Sequence, residues 1–140
     1  MGGGYGFDIR ANEAKYGNIR IINNSKYDGK LPIKDQKVDC VFMLAVLEHL
    51  PINTFLVDEA IRVLKKGGYF ILTTPTPMAK PVLEFLAYRL HLISEESIRE
   101  HQHYYTKKEL LGLMKKHHCK IVAYKKFQFG YNELIVGEKE

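Results

Sequence analysis

The sequence predicts an α/β fold: a mostly parallel sheet with helical crossovers, closed by an antiparallel strand pair. Three observations carry that prediction. Cys40–Leu47 is an uninterrupted apolar run, the pattern of a strand covered on both faces. Ile52, Leu56, Ala60 and Val63 or Leu64 then recur at helical spacing before a second β-rich run, Tyr69–Thr74. Strand, helix and strand in that order form a βαβ unit, which implies a parallel pair with a right-handed crossover. Near the end, Lys120–Phe129 and Glu133–Val136 read as strands separated only by Gly130–Tyr131–Asn132. So short a link forces antiparallel neighbours.

The remaining elements follow in order. YGFDI (Tyr5–Ile9) and NIRII (Asn18–Ile22) read as short strands around a helix-compatible RANEAKYG. Lys37–Leu44 is the first strand of the βαβ unit. Pro51 suits the first turn of its helix, where a missing N–H is tolerated. Lys65 and Lys66 favour the negative end of that helix, and Gly67–Gly68 are expected to stop it. Pro75 and Pro77 end the next strand. Pro81–Ile93 is expected to be helical with a broad apolar face, and Ser94 to cap a short helix, Glu95–Glu100. Thr106 and Glu109 form a T-x-x-E capping box for a helix ending near His117, with Leu110, Leu113 and Met114 as its buried stripe. No repeat or linker interrupts this layout, so residues 1–140 are expected to form one domain.

Composition bounds the function. At 140 residues the chain suits one domain that buries roughly two-thirds of its unfolded surface. The apolar content of 46% and charged content of 26% are ordinary globular values, which argues against wholesale disorder. The net charge of +5 is spread over the pairs Lys65–Lys66, Lys107–Lys108, Lys115–Lys116 and Lys125–Lys126. Scattered pairs suit a solvated face better than a nucleic-acid surface. Cys40 and Cys119 lack zinc-site spacing and are too few for a disulfide scaffold, so reduced thiols in a cytoplasm are expected. No signal peptide is evident. The most apolar helical stretch, Val82–Ile93, is broken by Glu84, Arg89 and His91 and is too short to span a bilayer.

Three segments carry a family resemblance: LPIKDQKVDCVFMLAVLEHL (Leu31–Leu50), EAIRVLKKGGYFILTTPTP (Glu59–Pro77) and EHQHYYTKKELLGLMKKHHCKIV (Glu100–Val122). With the FDI near the start, the set resembles class I S-adenosylmethionine-dependent methyltransferases over nearly the whole chain. The resemblance implies a Rossmann-like methyltransferase fold and S-adenosylmethionine as cofactor. It makes YGFDI the family's second strand. Asp8 would accept hydrogen bonds from the cofactor's ribose hydroxyls, a pairing that suits an anionic acceptor at a strand end, with Ile9 beside it. Asn23 and Asn24 would lie near the adenine, while Leu44 and Ala45 would line the cofactor's edge through their backbone.

On this layout the first strand and its glycine loop are expected to be missing, because only seven residues precede Asp8. A second placement makes GGGYG the loop and DIRANEAKYG the following helix, but still lacks the strand that should present the loop. The family's strand order, 3-2-1-4-5-7-6, puts the absent strand mid-sheet. Its loss would expose apolar edges, so a homodimer or completion by another chain is expected.

Methyl transfer needs alignment of the acceptor and, for a hydroxyl or amine, removal of a proton. Glu48 and His49, at the mouth after the fourth family strand, are the candidates for base or substrate contact. The competing reading has Glu48 start the next helix and His49 merely pack. His101 and His103, two apart on an extended segment, would face one side and with Tyr104 line a substrate pocket; packing and helix capping are the plainer roles. As metal ligands they want a third partner that the sequence does not identify, so no metal is expected. His117–His118 read as structural. The stripe Val82, Phe85, Leu86, Leu90 and Ile93 reads as core helix, with a lid or dimer surface as the alternative. The resemblance thus implies a methyltransferase acting on a small molecule, lipid or saccharide. The rival reading is a non-catalytic relic serving dimerisation or regulation, and a basic nucleic-acid-binding domain ranks third.

Overall fold

The computed structural model describes residues 4–8, 14–16, 19–23, 30–51, 55–99 and 101–140, in two compact units, Met1–Leu31 and Pro32–Glu140. Helices and strands follow the α/β, Rossmann-like pattern. The first unit holds β1 (Gly4–Asp8), β2 (Ala14–Tyr16) and β3 (Ile19–Asn23), in the order β1-β3-β2. β1 and β3 run parallel and in register from Gly4↔Ile19 to Asp8↔Asn23, whereas β2 is antiparallel to β3.

The second placement fails here, and one expectation is corrected. Gly4 and Gly6 lie in a strand, so GGGYG is not a phosphate-type loop; Gly2 and Gly3 fall outside the described residues. The stretch read as helix-compatible contains β2. Only Gly17 and Asn18 separate β2 from β3, and a two-residue Gly-Asn link is a hairpin signal that overrides weak helical preference.

The second unit is a four-stranded sheet, β4-β5-β7-β6, made of β4 (Val38–Leu44), β5 (Leu64–Pro75), β6 (Cys119–Phe127) and β7 (Asn132–Lys139). β4 and β5 are parallel; β7 is antiparallel to both β5 and β6. The βαβ unit and the closing antiparallel pair therefore stand as the sequence predicts, although β7 runs three residues past Val136. Among the described residues four helices accompany the sheet: α1 (Phe55–Val63), α2 (Ala79–Tyr88), α3 (Glu95–Arg99) and α4 (Lys107–Lys116).

The core lies on one face of this sheet. Met43, Phe70, Leu72 and Ile135 project from the strands, and Val57, Ala60, Ile61, Leu110 and Met114 meet them from α1 and α4. Each of these side chains except Ala60 contributes about 1.5–3 kcal/mol by leaving water. The capping box of α4 is present: Thr106 accepts from the Glu109 N–H at 3.3 Å, and the Thr106 N–H donates to Glu109 at 2.7 Å.

Helix α1 ends earlier than expected, and not by way of Lys65 and Lys66, which belong to β5. Its orphan carbonyls are taken by other segments. Lys139 Nζ donates to Ile61 O at 2.6 Å and Leu64 O at 2.7 Å. The N–H groups of Gln36 and Lys37 donate to Arg62 O at 3.0 Å and Val63 O at 2.7 Å. Helix α2 likewise stops at Tyr88 rather than Ile93: His91 takes a φ of +51°, outside the helical region.

Candidate active site

The site forms where β4 ends. Ala45 turns the chain with a φ of +51°, and its N–H donates to Thr73 O at 3.0 Å on the neighbouring strand. A single 3₁₀ turn follows, Leu47–His49, with Leu47 buried in the core. That anchor drives the adjacent Glu48 inward, to 1% exposure. Thr74 Oγ1 donates to its carboxylate at 3.2 Å. Burial pushes the Glu48 carboxyl above its ordinary range, partly offset by its own backbone N–H, by His49 and by Thr74.

The segment after α3 is strapped across this turn. The N–H groups of Gln102 and His103 donate to Glu48 O at 2.7 and 3.4 Å, and Gln102 Nε2 donates to His49 O at 3.2 Å. The strap brings the His101 ring edge-on to His49, with centroids 4.6 Å apart. Tyr104 Oη lies 2.9 Å from His101 Nδ1. Glu48, His49 and His101 each offer one ligand-type atom, all within 4.8 Å of one another. His49 Nδ1 is buried with no hydrogen-bond partner among the described residues.

His101 also opens onto a cleft of about 430 Å³, lined by Lys80, Glu84, Tyr88, Ile98, Arg99, Gln102, His103 and Tyr104 as well. Desolvation, then the charges of Glu84 and Glu48, hold the Tyr104 phenol above its ordinary value, so it stays protonated at neutral pH. His103 borders the same cleft but is bound elsewhere: its Nε2 lies 2.9 Å from Glu109 Oε1, and its ring meets Tyr105 edge-on. The two histidines therefore have separate partners, and His103 buttresses the α4 cap. Spacing alone cannot bring residues 49 and 101 together, so the Glu48–His49–His101 set had no signal in the sequence.

The residues assigned to the cofactor stand at the carboxyl ends of parallel strands, where ligands of open α/β sheets bind. In the first unit Asp8 and Asn23 are register partners at the ends of β1 and β3. In the second, Leu44 closes β4 with its side chain 55% exposed, and Ala45 follows it. The Ala45 N–H is committed to Thr73. Within each unit, taken by itself, these strand-end positions are compatible with the group. Ile9 and Asn24 lie outside the described residues.

Comparison with known proteins agrees with this architecture. The sequence profile of a family described as "Methyltransferase domain" matches residues 4–124. A Mycolicibacterium smegmatis protein described as a probable S-adenosylmethionine-dependent methyltransferase is 37% identical over 62 residues, which cover 44% of this chain and 23% of that protein. The match thus spans less than a quarter of the relative. Among solved structures, a chain from the complex of the Haloferax volcanii Trm112 methyltransferase activator with a methyltransferase has a TM-score of 0.72 at 15% identity; the match covers 98% of this chain and 72% of that one. An S-adenosylmethionine-dependent methyltransferase of Methanosarcina mazei gives 0.62 at 18% identity, covering 96% of this chain and 81% of its own. Strand order, strand-end residues and the extent of the family match lead to one conclusion: this chain belongs to the class I S-adenosylmethionine-dependent methyltransferase family.

Proposed function

We propose that the chain transfers a methyl group from S-adenosylmethionine to a hydroxyl or amine on a small molecule, lipid or saccharide. The observation that carries this reading is the polar pair Glu48 and His49 at the carboxyl end of β4, joined through His101 to a cleft. The bound cofactor supplies an activated methyl group. The chain's own residues then have the remaining tasks. Asp8 binds the ribose hydroxyls and Asn23 serves the adenine, the resemblance assigning Ile9 and Asn24 to the same group, while Leu44 and Ala45 present the edge of β4. Lys80, Arg99, His103 and Tyr104 position the acceptor. In the metal-free protein His49, stacked edge-on against the cleft-lining His101, takes up the acceptor's proton. Glu48 stabilises the charge that then develops on the ring.

Calorimetric titration with S-adenosylhomocysteine tests the cofactor half of the reading. Micromolar affinity, about −8 kcal/mol, is the expected result. Asp8→Ala should weaken it at least tenfold. No binding at millimolar ligand would overturn the catalytic reading in favour of a dimerisation or regulatory module.

In its sheet, β4 pairs only with β5 among the described residues, and Phe42 and Leu44 on it are 64% and 55% exposed. This supports completion of the sheet by a second copy. Sedimentation at micromolar concentration should give a dimer, and a monomer would remove this part of the proposal. Cys40 and Cys119 are free thiols, which supports a cytoplasmic setting. Among the described residues no helix is long and apolar enough to cross a membrane.

A further inference from the structure

We propose that Glu48, His49 and His101 form a divalent transition-metal site beside the cleft that His101 lines. The ligand set is the first argument. Two imidazoles and one carboxylate on three independent side chains match the donors of zinc and non-haem iron sites that keep open positions. Imidazole nitrogen selects ions such as Zn²⁺, Mn²⁺, Fe²⁺ or Co²⁺ over Ca²⁺ and Mg²⁺. The second argument is proximity. Each residue presents one ligand atom, and the three atoms lie within 4.8 Å of one another. Around a tetrahedral ion with bonds of about 2.1 Å, ligand atoms stand about 3.4 Å apart, so small side-chain rotations close the set.

The third argument is the state of His49. A buried imidazole nitrogen without a partner carries a desolvation cost, and His49 Nδ1 is such an atom among the described residues. An ion at the centre of the set removes that cost. Around the ligands stands a supporting shell. Tyr104 Oη holds His101 Nδ1 at 2.9 Å, Thr74 Oγ1 donates to Glu48, and the Gln102 strap fixes the backbone of the 3₁₀ turn. Outer hydrogen bonds of this kind orient the ligands of metal centres.

This inference goes beyond the methyl-transfer reading and does not rest on it, because ion binding needs neither cofactor nor acceptor. It departs from the sequence expectation of no metal. His103, bound to Glu109, takes no part in the set; the partners of His101 are Glu48 and His49, the nearer of them 52 residues earlier in the chain. With one carboxylate and two neutral imidazoles, a divalent ion keeps a net charge of +1 facing the cleft. It would hold an acceptor hydroxyl and ease loss of its proton, with His49 then serving as ligand instead of base.

The test is titration of the chelator-treated chain with Co²⁺, followed by visible absorption, and with Zn²⁺, followed by calorimetry. One ion per chain is expected, without the intense near-ultraviolet band of a cobalt–thiolate bond. Glu48→Gln and His101→Asn should each weaken binding at least tenfold. His118→Asn, between the end of α4 and β6, should leave it unchanged. Paramagnetic broadening of the His49 and His101 imidazole signals in the unaltered chain gives the same answer without any substitution. Absence of binding, a thiolate band, or affinity that survives both site substitutions would overturn the proposal.

Discussion

The two faces of the β4-β5-β7-β6 sheet use the same strands but differ in what covers them. On one face Phe70, Leu72 and Ile135 are buried to 1% exposure or less beneath α1 and α4. On the other, the register lines up Phe42, Ile71, Val136 and Ala123 across all four strands, with Leu44 and Tyr69 in the adjacent rows. There Phe42, Leu44 and Tyr69 keep 64%, 55% and 43% of their surface in water. Alternation along a strand thus divides apolar residues between two tasks. Those on the packed face hold the isolated chain together, and those on the open face contribute little to it.

The sharpest way to break that comparison is to truncate one aromatic on each face. Phe70→Ala should lower the free energy of unfolding by about 3–5 kcal/mol, measured by urea denaturation, whereas Phe42→Ala should change it by less than about 1 kcal/mol. Equal losses would show that the open face is packed in solution. A second probe of the packed face is Gly137→Ala. A Cβ there would meet Met114 Sδ at 2.8 Å and Cys119 Cβ at 2.9 Å, so overpacking should cost about 1–3 kcal/mol. The same method reads that loss.

A smaller effect concerns the helix that covers the packed face. Thr106→Ala should cost about 1 kcal/mol by removing the N-cap of α4. The Glu109 carboxyl is held below its ordinary value, first by the Thr106 hydroxyl, then by the Thr106 N–H and by His103. A depressed carboxylate stabilises the fold above its unfolded pKa, and that contribution is lost as pH falls through the folded value. The stability gap between the chain and Glu109→Ala should therefore be full at neutral pH and shrink in acid. The smallest change expected is in the open face itself. Leu44→Ser should leave the unfolding free energy within about 0.5 kcal/mol while reducing binding of an apolar dye.

What was legible in the sequence follows from the range of the forces involved. The capping box Thr106–Glu109 and the apolar run of β4 are local, and each appears where its residues place it; the link before β7 is short as expected but runs over residues 128–131 in place of 130–132. The end of α1 was not legible. Lys65 and Lys66 look like its natural terminators, yet Lys139, 75 residues beyond Leu64, closes it. The strand β2 was hidden by helix-compatible residues, although Gly17–Asn18 carried the hairpin signal. The site divides in the same way. Glu48 and His49 are marked by their place after an apolar strand. Their partner His101 depends on hydrogen bonds from Gln102 and His103 to Glu48 O, which no periodicity encodes.

The position of β7 has a consequence for synthesis. It is made after β6 but sits between β5 and β6, and its Lys139 closes a helix finished long before. While a ribosome is still translating, β5 therefore shows a bare edge and β6 has no neighbour in its sheet. A growing chain cannot complete this core segment by segment; it must wait for the last strand to emerge. Nascent copies held at that point are the ones most in need of a chaperone.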